Sequence, residues 1–558
     1  MPHQFDSEDL SGPRVNRRTA AKLFGAAGIT ALAGCTGGDD GDDGGSGDDG
    51  PDPEEVDDDD LHGGRLTAGW FLGEVGDLAP AYISVGQYFQ ISANIFNGLV
   101  KLNEDVEIVG DLATDWEVSD DGLRYEFELR DDVTFHNGEE FTAEDVEFTI
   151  RHNIEENAPQ AARLADLEPI DEGGVEVVDD YTVALNFENP NAATLAHLTR
   201  GPGRVGAIIN ETAIEEMGVN QYSLAPVGTG AFEVAEHEVG SHITLDAFED
   251  YHETDEEGNQ LPYLDGVDIE MIPEPGTIVN ALQAGDIDFA NLVPLENVDE
   301  VEGNPEIEIS GVVGNGWLGF AMNQDREPFD DIDVRQGIAK AIDNETLAEN
   351  AFFGYADPAT GVFGPLPEWV ARPNEEKDQT QAHDPEEAQE LLEGTPLMDD
   401  EEEFQIMQTQ ESLRAARTIQ NQLEGMGLSV EIDQVTDSTY WERYEGGDYD
   451  MTVSGSVQKP DPEESVWNFY RLPDEGGVWN WNNYESQEAH DLLGQQRAAV
   501  DQDERAEILQ ELEDVLIRDV PDAYLVHDED VTGYRDHVHG FTHIPSFLRN
   551  FHEVWVEE

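Results

Sequence analysis

Residues 94–150 read "NIFNGLVKLNEDVEIVGDLATDWEVSDDGLRYEFELRDDVTFHNGEEFTAEDVEFTI". Apolar side chains recur at every second position from Leu123 through Tyr125 and Phe127 to Leu129, the pattern of a strand with one buried face. Thr142, with Asp145 three residues on, is placed to cap a helix carrying Val146 and Ile150. Working outward, "VEVVDDYTVALNF" (175–187) predicts two strands about the turn Asp179-Asp180. In "ESLRAARTIQNQLEGMGLSVEIDQV" (411–435), Ala416, Ile419 and Leu423 share a helical face, and Gly425 and Gly427 stop the helix. Leu428, Val430 and Ile432 then alternate as a strand. Ile508, Leu512, Val515 and Leu516 mark a second amphipathic helix near the end. Helix-then-strand units predict α/β lobes with partly parallel sheets. At 558 residues the chain exceeds one core and should divide into two or three domains. No repeat of solenoid period is evident.

Charge says where such a chain works. Lys and Arg number 27 against 126 Asp and Glu, a formal net charge of −99 spread along the sequence; lysines stand only at 22, 101, 340, 377 and 459. In dilute buffer this surface repels itself and disfavours the compact state. At molar salt the Debye length falls to about 3 Å and most of that repulsion is screened. The composition predicts a halophilic protein and argues against a nucleic-acid partner, which needs a positive groove.

The N-terminus predicts export. Its apolar run, Leu23 to Ala33, is too short for a membrane span, which takes roughly 20 residues. Basic residues precede the run and small ones follow, as in a signal peptide. Arg17-Arg18 with Lys22 resembles the twin-arginine export signal. Leu32-Ala33-Gly34-Cys35 resembles a lipobox, so residues 1–34 are expected to be removed and Cys35, the only cysteine, to carry lipid. Residues 35–61 are Gly- and Asp-rich with almost nothing to bury, and are expected to form a solvated tether. With Cys35 lipidated, no cysteine is left for a disulfide.

Several stretches in order resemble one family. The segment 94–150 is followed by "PVGTGAFEV" (226–234), "ALQAGDIDFA" (281–290), "PFDDIDVRQGIAKAID" (328–343) and "YDMTVSGSVQKPDPEES" (449–465). Together these resemble the peptide-class (dipeptide, oligopeptide and nickel, family 5) extracellular solute-binding proteins of ABC transporters, here of a haloarchaeal lipoprotein type. The resemblance implies a two-lobed α/β clamshell of the type II periplasmic-binding-protein kind with an extra inserted domain. Lobe I would comprise 62–96, 226–308 and 522–558, the inserted domain 97–225, and the opposite lobe 309–521. Crossings near 308 and 521 would form a hinge that closes on a solute. The solute would pass to permease subunits at the extracellular face of the membrane, held there by the lipid on Cys35.

The resemblance also implies site residues. Peptide binders of this family hold the ligand amine with an aspartate three residues before an acidic-Pro pair. That pair is Asp461-Pro462 and the matching position is Gln458, which cannot offset an ammonium charge. Asp461 is the alternative amine partner. Ser454, Gly455 and Ser456 match the stretch that pairs with an extended ligand as an added strand, and Ser84, Val85 and Gly86 match the facing loop. Trp441 matches a pocket-lining indole. Trp479 and Trp481 alternate with Asn480 and Asn482, which predicts indoles on one face of a strand and amides on the other. Such a pairing suits sugar rings as well as peptides, so oligosaccharide, peptide and nickel-type cargo stay open.

No G-x-S-x-G elbow, H-E-x-x-H motif or P-loop occurs in the chain. His537, His539 and His543 could supply imidazoles to a divalent ion, but a site usually takes three or four ligands and they are read as solvated or structural. The acidic loop 253–260 lacks the periodicity of a calcium-binding loop. No cofactor, metal or catalytic residue is expected. A surface-tethered hydrolase and a ligand sensor for a signalling partner are the competing functions.

Overall fold

The computed structural model describes residues 61–557, apart from 84, 202–204, 315, 399–403, 411, 458, 460, 473–476, 478 and 546–547. Arg17, Arg18, Cys35, Ser84 and Gln458 therefore lie outside the described residues.

One long strand, Asp522–Arg535, organises the molecule. Its first part pairs antiparallel with Trp317–Met322, from Ala321 opposite Asp522 to Leu318 opposite Val526. Its last part pairs with Ile307–Val313, from Val313 opposite Glu529 to Ile307 opposite Arg535. The two partner strands are consecutive in sequence and belong to different halves of a twelve-stranded sheet. On one half, Arg65–Trp70 runs parallel to Gly266–Met271, with two antiparallel strands beyond. On the other, Phe404–Gln408 runs parallel to both Val430–Gln434 and Met451–Ser456. The long strand thus runs through both halves, and its first part belongs with the second. The physical reason is packing: Ala523, Leu525 and Val526 are buried in the core around Phe320 and Ile338, not in the first lobe.

Each half has its own apolar core. Trp70, Ile91, Phe96, Ile243 and Phe551 pack in the first; Phe320, Ile338, Ile406, Ile419 and Val453 in the second. The inserted domain has a third core, built on a four-stranded antiparallel sheet in the order Ala113–Val118, Arg124–Leu129, Thr182–Asn186, Val175–Asp179. Tyr125, Phe127 and Leu129 are buried there as their alternation predicts, and the Asp179-Asp180 turn joins the last two strands. Asp145 accepts from the Thr142 backbone N–H at 2.9 Å, which closes the start of helix Ala143–Glu155. Helix Leu413–Gly425 buries Ala416, Ile419 and Leu423, and Gly427 takes a left-handed φ of 92° before strand Val430–Gln434 begins. Among the described residues no helix is long and apolar enough to cross a membrane. The whole is a two-lobed type II periplasmic-binding-protein fold.

Candidate functional site

The strand Met451–Ser456 ends at the interlobe crossing, because its antiparallel partner begins there: Ser456 faces Trp317, Gly455 faces Leu318 and Ser454 faces Gly319. On its other side Phe404–Gln408 pairs only with Met451 and Thr452. The Val453 carbonyl accepts from the Tyr440 hydroxyl at 3.1 Å and from Gln408 Nε2 at 3.0 Å, so its backbone faces away from the antiparallel partner. Backbone groups alternate sides along a strand, which directs the Gly455 N–H and C=O the same way. No described strand pairs with Gly455 on that side. It is an open edge at the crossing between lobes. Only glycine fits: a Cβ at 455 would lie 2.2 Å from the Trp317 carbonyl oxygen.

Aromatic rings join this strand in two groups, one through Tyr440 on Val453 and one through Trp317 opposite Ser456. Trp441, on helix Asp437–Glu445, lies 5.7 Å from the Trp481 ring and 5.2 Å from Tyr440. Its indole N–H is buried and has no hydrogen-bond partner among the described residues. A buried unmade donor is costly, and a ligand acceptor would satisfy it. Trp479 sits elsewhere, 5.3 Å from Phe469, which packs 5.6 Å from Trp317. The expected strand of alternating indoles and amides is not what forms. Described residues around 479–482 are in turns, and the two indoles join different clusters. Asn480 Nδ2 donates to the Arg471 and Tyr484 carbonyls and Asn482 Nδ2 to the Pro521 carbonyl, so both amides brace backbone.

Asp461 is buried and held by Arg505, whose Nη1 and Nη2 reach its two oxygens at 2.7 and 2.6 Å. It also accepts from the Glu463 backbone N–H at 2.9 Å. With both oxygens engaged, this carboxylate serves the fold of the loop. In lobe I, Val85 precedes helix Gly86–Ser92, and the turn is tied down by Trp70 Nε1 donating to the Gln87 carbonyl at 3.4 Å.

Behind the edge lies a buried carboxyl that pairs with no cation among the described residues. Asp522 accepts from the Tyr470 hydroxyl at 3.0 Å and from Asn482 Nδ2 at 3.1 Å, and the Tyr524 hydroxyl in turn donates to Tyr470. Burial pushes its pKa up to about 7, against the two hydrogen bonds that favour the anion. Sequence reading passed over Trp317 and Asp522. Their neighbours lie more than a hundred residues or some forty residues away, and no local pattern points to them.

The three C-terminal histidines do not converge. His537 faces Asp288 at 3.2 Å, His539 lies tilted against the Trp555 ring, and His543 is near Asp530. Among the described residues, ligand atoms of Asp111, His252 and Glu253 lie within 4.8 Å of one another. Their charges are already answered: Asp111 accepts from Asn97 Nδ2 and the Gly98 N–H, and Glu253 pairs with Lys101. In the loop 253–260, Asp255 accepts from the Asn259 N–H at 2.7 Å, which makes a turn.

Residues 107–477 match the family model for bacterial extracellular solute-binding proteins, family 5. The chain is 24% identical over 508 residues to a di/tripeptide-binding protein of Pseudomonas aeruginosa, covering 87% of this chain and 93% of that one. It is 24% identical over 483 residues to the glutathione-binding protein GsiB of Escherichia coli K12, covering 83% and 89%. Among solved structures, the binding protein AgaA of A. tumefaciens R10, in complex with agropinic acid, superposes with a TM-score of 0.71 at 27% identity, over 89% of this chain and 99% of that one. With the fold and the matched length in agreement, the chain belongs to family 5 of the extracellular solute-binding proteins.

Proposed function

We propose that the protein captures a peptide-class solute outside the cell and delivers it to the permease of an ABC importer, performing no chemistry on it. The observation that carries the cargo class is the open edge at Gly455. A ligand laid along it is read through its own main-chain N–H and C=O groups, which peptides have and sugars lack. With Trp479 and Trp481 in different clusters, the paired indoles that would suit sugar rings are not there. Relatives named for di- and tripeptides and for glutathione support the same class. Anchoring by lipid on Cys35 after twin-arginine export, at the outer face of the membrane, belongs to this reading. The edge adds a binding surface, not a nucleophile, which favours a receptor over a hydrolase.

A thermal-shift screen of the protein in multimolar salt tests it, with panels of short peptides and oligosaccharides. Cargo at 100 times its Kd adds about 2.7 kcal/mol to the native state, enough to read as a rise in Tm. Peptides should shift the melt and oligosaccharides should not; the reverse result would sink the reading. Because Asp461 is committed to Arg505, N-acetylation of an effective peptide should cost less than tenfold in affinity.

A further inference from the structure

Just after the cargo edge, the buried segment Asp461–Ser465 places three carboxylates against four bases. Asp461 is held by Arg505 and Glu463 by Arg497 at 2.8 Å, all within the second lobe. Two further contacts leave that lobe. Arg497 Nη1 reaches Asp166 of the inserted domain at 3.0 Å, and Glu464 meets Arg163 of the inserted domain at 3.2 Å, with His197 at 3.8 Å. Backbone joins backbone as well: the Ala192 N–H donates to the Arg497 carbonyl at 2.9 Å. A separate apolar contact repeats the pattern, with Leu366 of the second lobe packed against the cluster of Leu102, Val106 and Ile544. The guanidinium of Arg497 also lies over the Trp467 ring, which fixes its direction.

We propose that the inserted domain is a working jaw of the clamp: it docks on the second lobe through Arg163–Glu464 and Asp166–Arg497, and these residues position the cargo loop when the cleft closes. The proposal rests on the reading of the molecule as a closing binding protein and adds to it what holds the closed state. The four residues act as positioning residues, since the edge at Gly455 is the part that meets cargo. Their location makes the coupling direct. Glu463 and Glu464 are two and three residues past Asp461, so undocking the inserted domain frees the loop that follows the edge. The Arg163–Glu464 pair, buried on the Glu464 side, loses far less to salt than an exposed pair does. It therefore suits a protein whose surface charges are screened by its solvent.

The Ala192 amide gives a readout that needs no cargo. Hydrogen exchange of the full chain, read on peptides spanning 189–197, should quicken at least tenfold in Arg163→Gln and in Asp166→Asn. The amides of strands Arg124–Leu129 and Trp317–Met322 should exchange as in the wild type. The double exchange R163E/E464R, which restores an opposite pair, should bring protection back. Unchanged exchange at Ala192 in both single variants would overturn the proposal. So would quickening spread equally over the strand amides, which would make these residues supports of the fold alone. If instead no peptide shifts the melt of the wild type while Ala192 behaves as predicted, the docking stands and the cargo class is what fails.

Discussion

At the scale of single residues, the site depends on positions where one atom decides. Gly455→Ala would drive a Cβ into the Trp317 carbonyl, so the edge must move. The expected result is at least a tenfold loss of peptide affinity by calorimetry, together with a lower Tm. Arg505→Gln leaves the buried Asp461 carboxylate without its cation; breaking such a pair costs about 3–5 kcal/mol, measurable by urea unfolding. Asp522 makes a pH prediction. Its folded pKa is raised from the ordinary carboxyl value to about 7, so the fold favours the protonated form. That contribution is fully present below about pH 4 and is lost as pH rises through about 7, on the order of 4 kcal/mol in all. Asp522→Asn should therefore raise Tm at pH 8 and leave it nearly unchanged at pH 4. Equal shifts at both would show that the carboxyl is not titrating there.

At the scale of elements, local pattern translated well into structure wherever one face is buried. The alternation of Tyr125, Phe127 and Leu129, the Thr142 and Asp145 cap and the helix of Ala416, Ile419 and Leu423 all form where their spacing places them. The stretch 479–482 fails because its alternation is not backed by strand pairing. Asn480 and Asn482 instead hydrogen-bond nearby and distant backbone, which competes with a ladder. The result separates two indoles that are two residues apart and joins two that are forty apart. A double-mutant cycle reads this directly. Trp441→Ala and Trp481→Ala should be non-additive in stability, by about 0.5 kcal/mol or more, because their rings touch. Trp479→Ala and Trp481→Ala should add.

At the scale of the whole molecule, 126 acidic residues against 27 basic ones predict a fold that depends on screening by salt. Lowering KCl from about 3 M to about 0.1 M lengthens the Debye length from a few ångströms to about 10 Å and exposes the self-repulsion. The Tm should fall steeply over that range, and a flat profile would refute the halophilic reading. Several of the few cations sit at joints: Arg505 and Arg497 against the loop 461–465, Arg163 at the inserted domain, and Arg549 buried against Asp530.

By itself the sequence determined the class of fold, because side-chain period and turn chemistry are local and survive in one dimension, and it carried the family's signatures in order. Only the tertiary structure decided that Asp461 is answered by Arg505, that Trp441 meets Trp481 and that Arg163 and Asp166 reach the loop 461–465 and its partner Arg497. Each of these pairs groups far apart in the chain, and such contacts are set by which cores fill and which buried charges find partners. No periodicity in the residues between them records that outcome.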